Sequence, residues 1–265
     1  MIPMNKDVEI LLGEKKHDFS SLVRIMALLR AEDGCPWDRE QTHESIRANM
    51  IEETYEVIEA IDNNDPVLLR EELGDALLQI VFHARISEEA GDFNVADVIH
   101  DICAKLIHRH PHIFANVQAD TSEQVLSNWE AIKTEEKQRI GLSGTLNSIP
   151  PALPSLMRAQ KMVKKSVKEG ISPAESDLFA GAAESLESMK QAAAAGDASQ
   201  KEQSLARMLW QLSAIAQTSG MDAEKLLGDQ CLRYAHDVEN TEKQSPDGCS
   251  IPENEKKRLS ERNFL

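Results

Sequence analysis

Apolar side chains between residues 50 and 84 recur at helical spacing in two runs separated by a polar turn. Met50, Thr54, Val57, Ile58 and Ile61 form one stripe, and Leu69, Leu73, Leu77, Ile80 and Ala84 form the other. Between them lies Asn63-Asn64-Asp65-Pro66, with Asp65 placed to cap the second helix and Pro66 suited to its first position. The rest of the chain is patterned the same way. Helices are predicted over about 19–30, from Asn94 (with Asp97 as a capping-box partner) to Arg109 before Pro111, and from Thr121 and Gln124 through Lys137 to near Gly141. Residues 33–38 read as an irregular loop. Gly141, Gly144, Pro150, Pro151 and Pro154 mark 141–154 as a linker, helices resume over 155–243, and Ser245-Pro246-Asp247-Gly248 opens a polar tail, 244–265. Aromatic residues are only 4% of the chain and no alternating run bounded by tight turns occurs, so the predicted fold is all-α.

Polar positions along the two stripes change the picture. Glu52-Glu53-x-x-Glu56 precedes the turn, and Glu71-Glu72-x-x-Asp75 follows it. Glu53 and Glu56 share a face of the first helix, Glu72 and Asp75 a face of the second. Folded back antiparallel with a rise of about 1.5 Å per residue, the helices bring all four carboxylates to one level. Such acids repel unless a cation lies between them, and a hard divalent ion such as Mg²⁺ takes oxygen ligands and is commonly shared with substrate phosphates. The competing readings are ordinary solvated faces and a di-iron carboxylate bundle. The latter needs Glu-x-x-His on core helices, whereas Glu14–His17 and Glu40–His43 both precede the helical core.

The two acidic clusters together resemble the signature of the MazG family of nucleoside triphosphate pyrophosphohydrolases. Gly34-Cys35-Pro36-Trp37-Asp38 with Gln41-Thr42-His43, the run Lys105 to Phe114, Trp129-Glu130-Ala131-Ile132-Lys133 and Leu153 to Lys161 add to the likeness, which covers about residues 18–165. The resemblance implies tandem MazG-like helical domains with a four-helix-bundle core formed through pairing, hence a homodimer. It implies a catalytic domain over 1–140 and a second MazG-like domain over 155–243. The implied reaction is Mg²⁺-dependent, with Mn²⁺ as a substitute, and converts a (deoxy)nucleoside triphosphate and water to the monophosphate and pyrophosphate. Glu53, Glu56, Glu72 and Asp75 would be metal ligands, and Glu52 or Glu71 would help orient the attacking water beside Glu53 and Glu72.

Nucleotide contacts have candidates of their own. Lys105 and Arg109 lie four residues apart on one helix and reach the same place, as a point charge and a fork suited to phosphate. A solvated basic helix end is the alternative. Trp129 and Lys133 have the same spacing, suiting a base on the indole and a phosphate on the ammonium, although Trp129 could equally pack a core. Trp37 and Asp38 fall in the expected loop, where conspicuous residues serve binding. Two further function classes stay open: a narrow hydrolase for one deoxynucleotide, a damaged nucleotide or phosphoribosyl-ATP, and a non-catalytic dimeric interaction protein.

Charge and cysteine usage constrain these classes. A formal net charge of −16 opposes binding of a nucleic-acid polymer without opposing a single nucleotide. No apolar run suits a membrane span and the amino terminus lacks a signal pattern. Cys35, Cys103, Cys231 and Cys249 lack metal or redox spacing and read as reduced thiols, so a cytoplasmic location is expected.

Shifting the chain by 132 residues lays Leu77 on Leu209, Ile80 on Leu212 and Ala84 on Ala216, so an apolar helix recurs. The same shift lays Glu53 on Ser185, Glu56 on Ser188, Glu72 on Ser204 and Asp75 on Arg207. The second half is therefore expected to keep the fold and lack the metal site, serving a structural role.

Overall fold

A computed structural model describes residues 6–115, 117–119, 121–136, 141–243 and 256–258; Cys249 and most of the tail lie outside them. The chain forms two compact units that divide between Glu136 and Lys137. Among the described residues all regular structure is helical.

The first unit contains α1 (Lys6–Gly13), α2 (Phe19–Leu29), α3 (Pro36–Glu40), α4 (Arg47–Asp62), α5 (Pro66–Ala90), α6 (Val95–Arg109), α7 (Pro111–Phe114) and α8 (Ser122–Glu136). Capping residues set several of its boundaries. Asp18 and Ser21 form a capping box at the start of α2, Asn94 and Asp97 form the expected one at α6, and Gly91 ends α5 in the left-handed region at φ 81°. Residues 33–38 are not wholly irregular, because Pro36 starts the single-turn α3 that carries Trp37 and Asp38. Gly34 makes this possible: a Cβ there would collide with the carbonyl oxygens of Leu28 and Leu29.

The core of this unit is Met26, Ile46, Val81 and Phe82, with Leu22, Val23, Leu78, Ile86 and Val95 around it. Helix α5 thus meets the α2 core through Val81 and Phe82, which the apolar stripe did not mark, and of the stripe itself Ala84 is buried. Leu73 (52% exposed), Leu77 (37%) and Ile80 (40%) of that stripe stay open, as do Ile58 and Ile61 of α4. Conversely Gln79, a polar residue one helical turn beyond Asp75, is buried. The reason is that α5 is apolar on two faces, and the α2 contact uses the one containing Val81 and Phe82.

The second unit contains α9 (Gly141–Asn147), α10 (Ser155–Lys168), α11 (Glu175–Ala195), α12 (Ala198–Thr218) and α13 (Ala223–Lys243). The segment expected to be a linker is partly ordered. Helix α9 packs on α10, Ile149 is 2% exposed, and the Lys165 ammonium donates to the Thr145 carbonyl. The core of this unit is Val163, Leu178, Ala214 and Ile215. Leu205, Leu209 and Leu212, which the 132-residue shift lays on Leu73, Leu77 and Ile80, are likewise exposed. No helix among the described residues is long and apolar enough to cross a membrane.

Candidate functional site

The turn between α4 and α5 is built as its residues dictate. Asn64 takes a left-handed φ of 53°, and the Asp65 carboxylate accepts from the backbone N–H groups of Val67 and Leu68. The resulting antiparallel hairpin draws Glu53, Glu56 and Glu72 together, with one oxygen of each within 4.8 Å of the others. All three are half-buried, as is Asp75, whereas Glu52 and Glu71 are exposed. Asp75 lies outside the tight group but acts on it electrostatically.

Burial, then the charge of Asp75 and that of Glu56, pushes the Glu53 carboxyl above the ordinary glutamate value. Burial and then Glu56 and Asp75 push Glu72 the same way. The charges acting on both are those of other acids, so the cluster is unbalanced by itself. Its chemistry fits a hard divalent cation: oxygen donors only, converging from two rigid helices and partly shielded from water. Beyond these acids, the Gln79 side-chain nitrogen lies 3.5 Å from Glu53 Oε1, while the Gln79 Oε1 is buried without a hydrogen-bond partner.

The expected nucleotide residues are placed less uniformly. Lys105 is exposed on α6. Arg109 sets its guanidinium over the Trp129 indole at 5.2 Å, so one face of that ring is engaged by a cation within the unit. Lys133 belongs to α8, with its side chain outside the described residues. Trp37 is 59% exposed. Asp38 is half-buried beside it.

Two sets of contacts are not visible in the sequence pattern. Arg30, buried at the end of α2, pairs with Glu89 on α5 at 2.7 Å, donates to the carbonyls of Asp38 and Gln41, and lies over the Phe82 ring. It fastens the α3 segment to α5, and no local pattern points to a partner 59 residues away. The second is a pair of stacked imidazoles. His43 and His83 meet Nδ1 to Nδ1 at 2.8 Å, and His43 Nε2 reaches the Ser87 hydroxyl at 3.2 Å. Burial, and then the charge of His43, holds His83 below the usual histidine range.

At the corresponding positions of the second unit, serines stand for the three glutamates and Arg207 for Asp75. The Ser185 hydroxyl donates to Gln211 Oε1 at 2.8 Å, and the Ser188 and Ser204 hydroxyls meet at 2.9 Å. The Gln200 amide donates to both of those serines. Ser185 and Ser204 are almost wholly buried, and Arg207 is exposed. Hydrogen bonds thus satisfy the seam that acids occupy in the first unit.

Paired long helices and a carboxylate cluster across a hairpin define the first unit as an all-α protein with an acidic centre. Residues 41–114 match the MazG nucleotide pyrophosphohydrolase domain, a span holding both acidic clusters, Lys105 and Arg109 but not Trp37, Asp38, Trp129 or Lys133. The chain is 37% identical over 210 residues to the nucleoside triphosphate pyrophosphohydrolase/pyrophosphatase MazG of Thermotoga maritima, covering 79% of each. It belongs to the MazG family. It is also 48% identical over 150 residues to the nucleoside triphosphate pyrophosphohydrolase of Escherichia coli (strain K12), covering 56% of this chain and 57% of that one. A match to the uncharacterized protein YabN of Bacillus subtilis is 45% identical over 163 residues, 62% of this chain and 32% of that one. The chain therefore spans about a third and somewhat over half of the length of these last two relatives.

Proposed function

We propose that the protein is a divalent-metal-dependent nucleoside triphosphate pyrophosphohydrolase whose active site is the acidic cluster of the first unit. The observation that carries this reading is the convergence of Glu53, Glu56 and Glu72 within 4.8 Å across a rigid hairpin. Glu53, Glu56, Glu72 and Asp75 hold the cation, Mg²⁺ by preference and Mn²⁺ as a substitute. When bound, it neutralises the triphosphate and lowers the pKa of a coordinated water. Glu52 and Glu71, both exposed, would orient the attacking water and take up its proton. Water attacks a phosphorus of the α–β anhydride, the bridging P–O bond breaks, and the monophosphate and pyrophosphate leave. Lys105 and Arg109 serve the phosphates. Arg109 already rests on Trp129, so it either turns from the indole to a phosphate oxygen or holds the ring's position. Trp37, Asp38 and Lys133 complete the nucleotide contacts. The names of the Thermotoga and Escherichia relatives support the reaction type.

Assembly belongs to the same proposal. The stripe of Leu73, Leu77 and Ile80 is open in the single chain, and a second copy covering it would complete a four-helix core beside the acids. The second unit, with serines in place of the three glutamates, serves a structural role. The test is release of pyrophosphate from nucleoside triphosphates, with and without Mg²⁺, by the full chain. Metal-dependent release supports the reading, and absence of turnover across the common (d)NTPs and their oxidised and deaminated forms overturns it.

A further inference from the structure

Gln79 is 6% exposed, and its side-chain oxygen has no hydrogen-bond partner. Leaving a buried acceptor unpaired is costly, and an apolar residue of the same shape would avoid that cost. Turning the amide over gains nothing, because it would set the oxygen against a carboxylate oxygen of Glu53 and orphan the nitrogen instead. The second unit supplies an internal comparison. The 132-residue shift lays Gln79 on Gln211 and Glu53 on Ser185. There the facing group is a hydroxyl, the glutamine turns its oxygen towards it, and the bond is 2.8 Å. The amide thus follows the hydrogen-bonding sense of its neighbour. In the first unit it presents its N–H to an acid, and the stranded oxygen is the consequence.

We infer that Gln79 is a positioning residue of the first unit's acidic centre, holding the Glu53 carboxylate in the orientation of a cation ligand at the expense of its own unpaired oxygen. The inference rests on the metal-site reading. Groups that hydrogen-bond a ligand's far side fix its direction and typically account for about 10- to 100-fold in metal affinity. Gln79 touches Glu53 at 3.5 Å and lies one helical turn beyond Asp75, so it braces the α4 ligand from the α5 side of the hairpin.

The test compares Mn²⁺ affinity, read by electron paramagnetic resonance on the full chain without nucleotide, with thermal unfolding in the absence of metal. Gln79→Met keeps the volume and removes the amide. It should bind Mn²⁺ about 10- to 100-fold more weakly than wild type yet unfold at the same temperature or higher without metal. A residue that only packed the core would lose stability and leave affinity unchanged. Gln211→Met is the matched control and should lower the unfolding temperature, because Ser185 loses its partner, without altering Mn²⁺ binding. Should Gln79→Met fail to fold, Gln79→Asn retains an amide too short to reach Glu53 and should show the same loss of affinity. Wild-type affinity in the folded Gln79 variant overturns this role and leaves the metal site standing. Failure of the wild-type chain to bind Mn²⁺ overturns the metal site and this role together.

Discussion

At the residue scale, the acidic cluster is a set of groups whose charges disfavour one another. Glu72→Gln and Asp75→Asn each remove a charge at nearly constant shape. Either should lower turnover by ~10²-fold or more, since each ~1.4 kcal/mol of lost transition-state stabilisation is a factor of ten. Circular dichroism should be unchanged, and the metal-free unfolding temperature of Glu72→Gln should rise because repulsion is relieved. Full activity in both variants would remove the acids from the mechanism. Glu89 behaves in the opposite sense. Burial alone would raise its carboxyl, but hydrogen bonds from Arg30 and Arg85 outweigh it and hold Glu89 below 4.5. A folded value below the unfolded one means the unfolded chain binds the extra proton. The contribution is therefore complete above about pH 4.5 and is lost as pH falls through the folded value. Glu89→Gln should accordingly flatten the acid side of the stability profile below pH 5 in thermal melts, and an unaltered profile would exclude the Arg30–Glu89 pair as its source.

At the scale of elements, the α4–α5 hairpin has two apolar faces and one polar seam. One face meets α2, and the seam carries the acids. The other leaves Leu73, Leu77 and Ile80 exposed, and α12 leaves Leu205, Leu209 and Leu212 exposed at the matching positions. Recurrence of the same uncovered stripe in both units points to a common use in pairing. Sedimentation at micromolar concentration should give a homodimer for the wild-type chain, and Leu77→Lys with Ile80→Lys should shift it towards monomer without loss of helicity. A monomeric wild type would defeat the pairing scheme. Capping, turn and stripe were all legible in the sequence because they depend on neighbours within one or two helical turns.

At the scale of the whole molecule, the two units share a helical hairpin but not its chemistry. Buried Ser185 and Ser204 with Ser188, Gln200 and Gln211 form a satisfied neutral network where the first unit gathers charge. A full chain carrying Glu53→Gln, Glu72→Gln and Asp75→Asn together should therefore retain no nucleotide hydrolysis and no Mg²⁺–nucleotide binding by calorimetry. Residual turnover in that triple variant would assign activity to the second unit.

What the sequence determined by itself was local: the all-α class, the Asp65–Pro66 helix start, the spacing that aligns Glu53, Glu56 and Glu72, and the serines at the shifted positions. Each follows from the fixed rise and period of a helix and from short-range capping chemistry. Only the tertiary structure decided which face of α5 is buried. It also set Arg30 against Glu89 and the α3 carbonyls, placed Arg109 over Trp129, and stranded the Gln79 oxygen beside Glu53. Those outcomes join residues from different elements, 8 to 59 positions apart. Periodicity marks which side chains share a face, but it carries no information about which neighbour that face will meet.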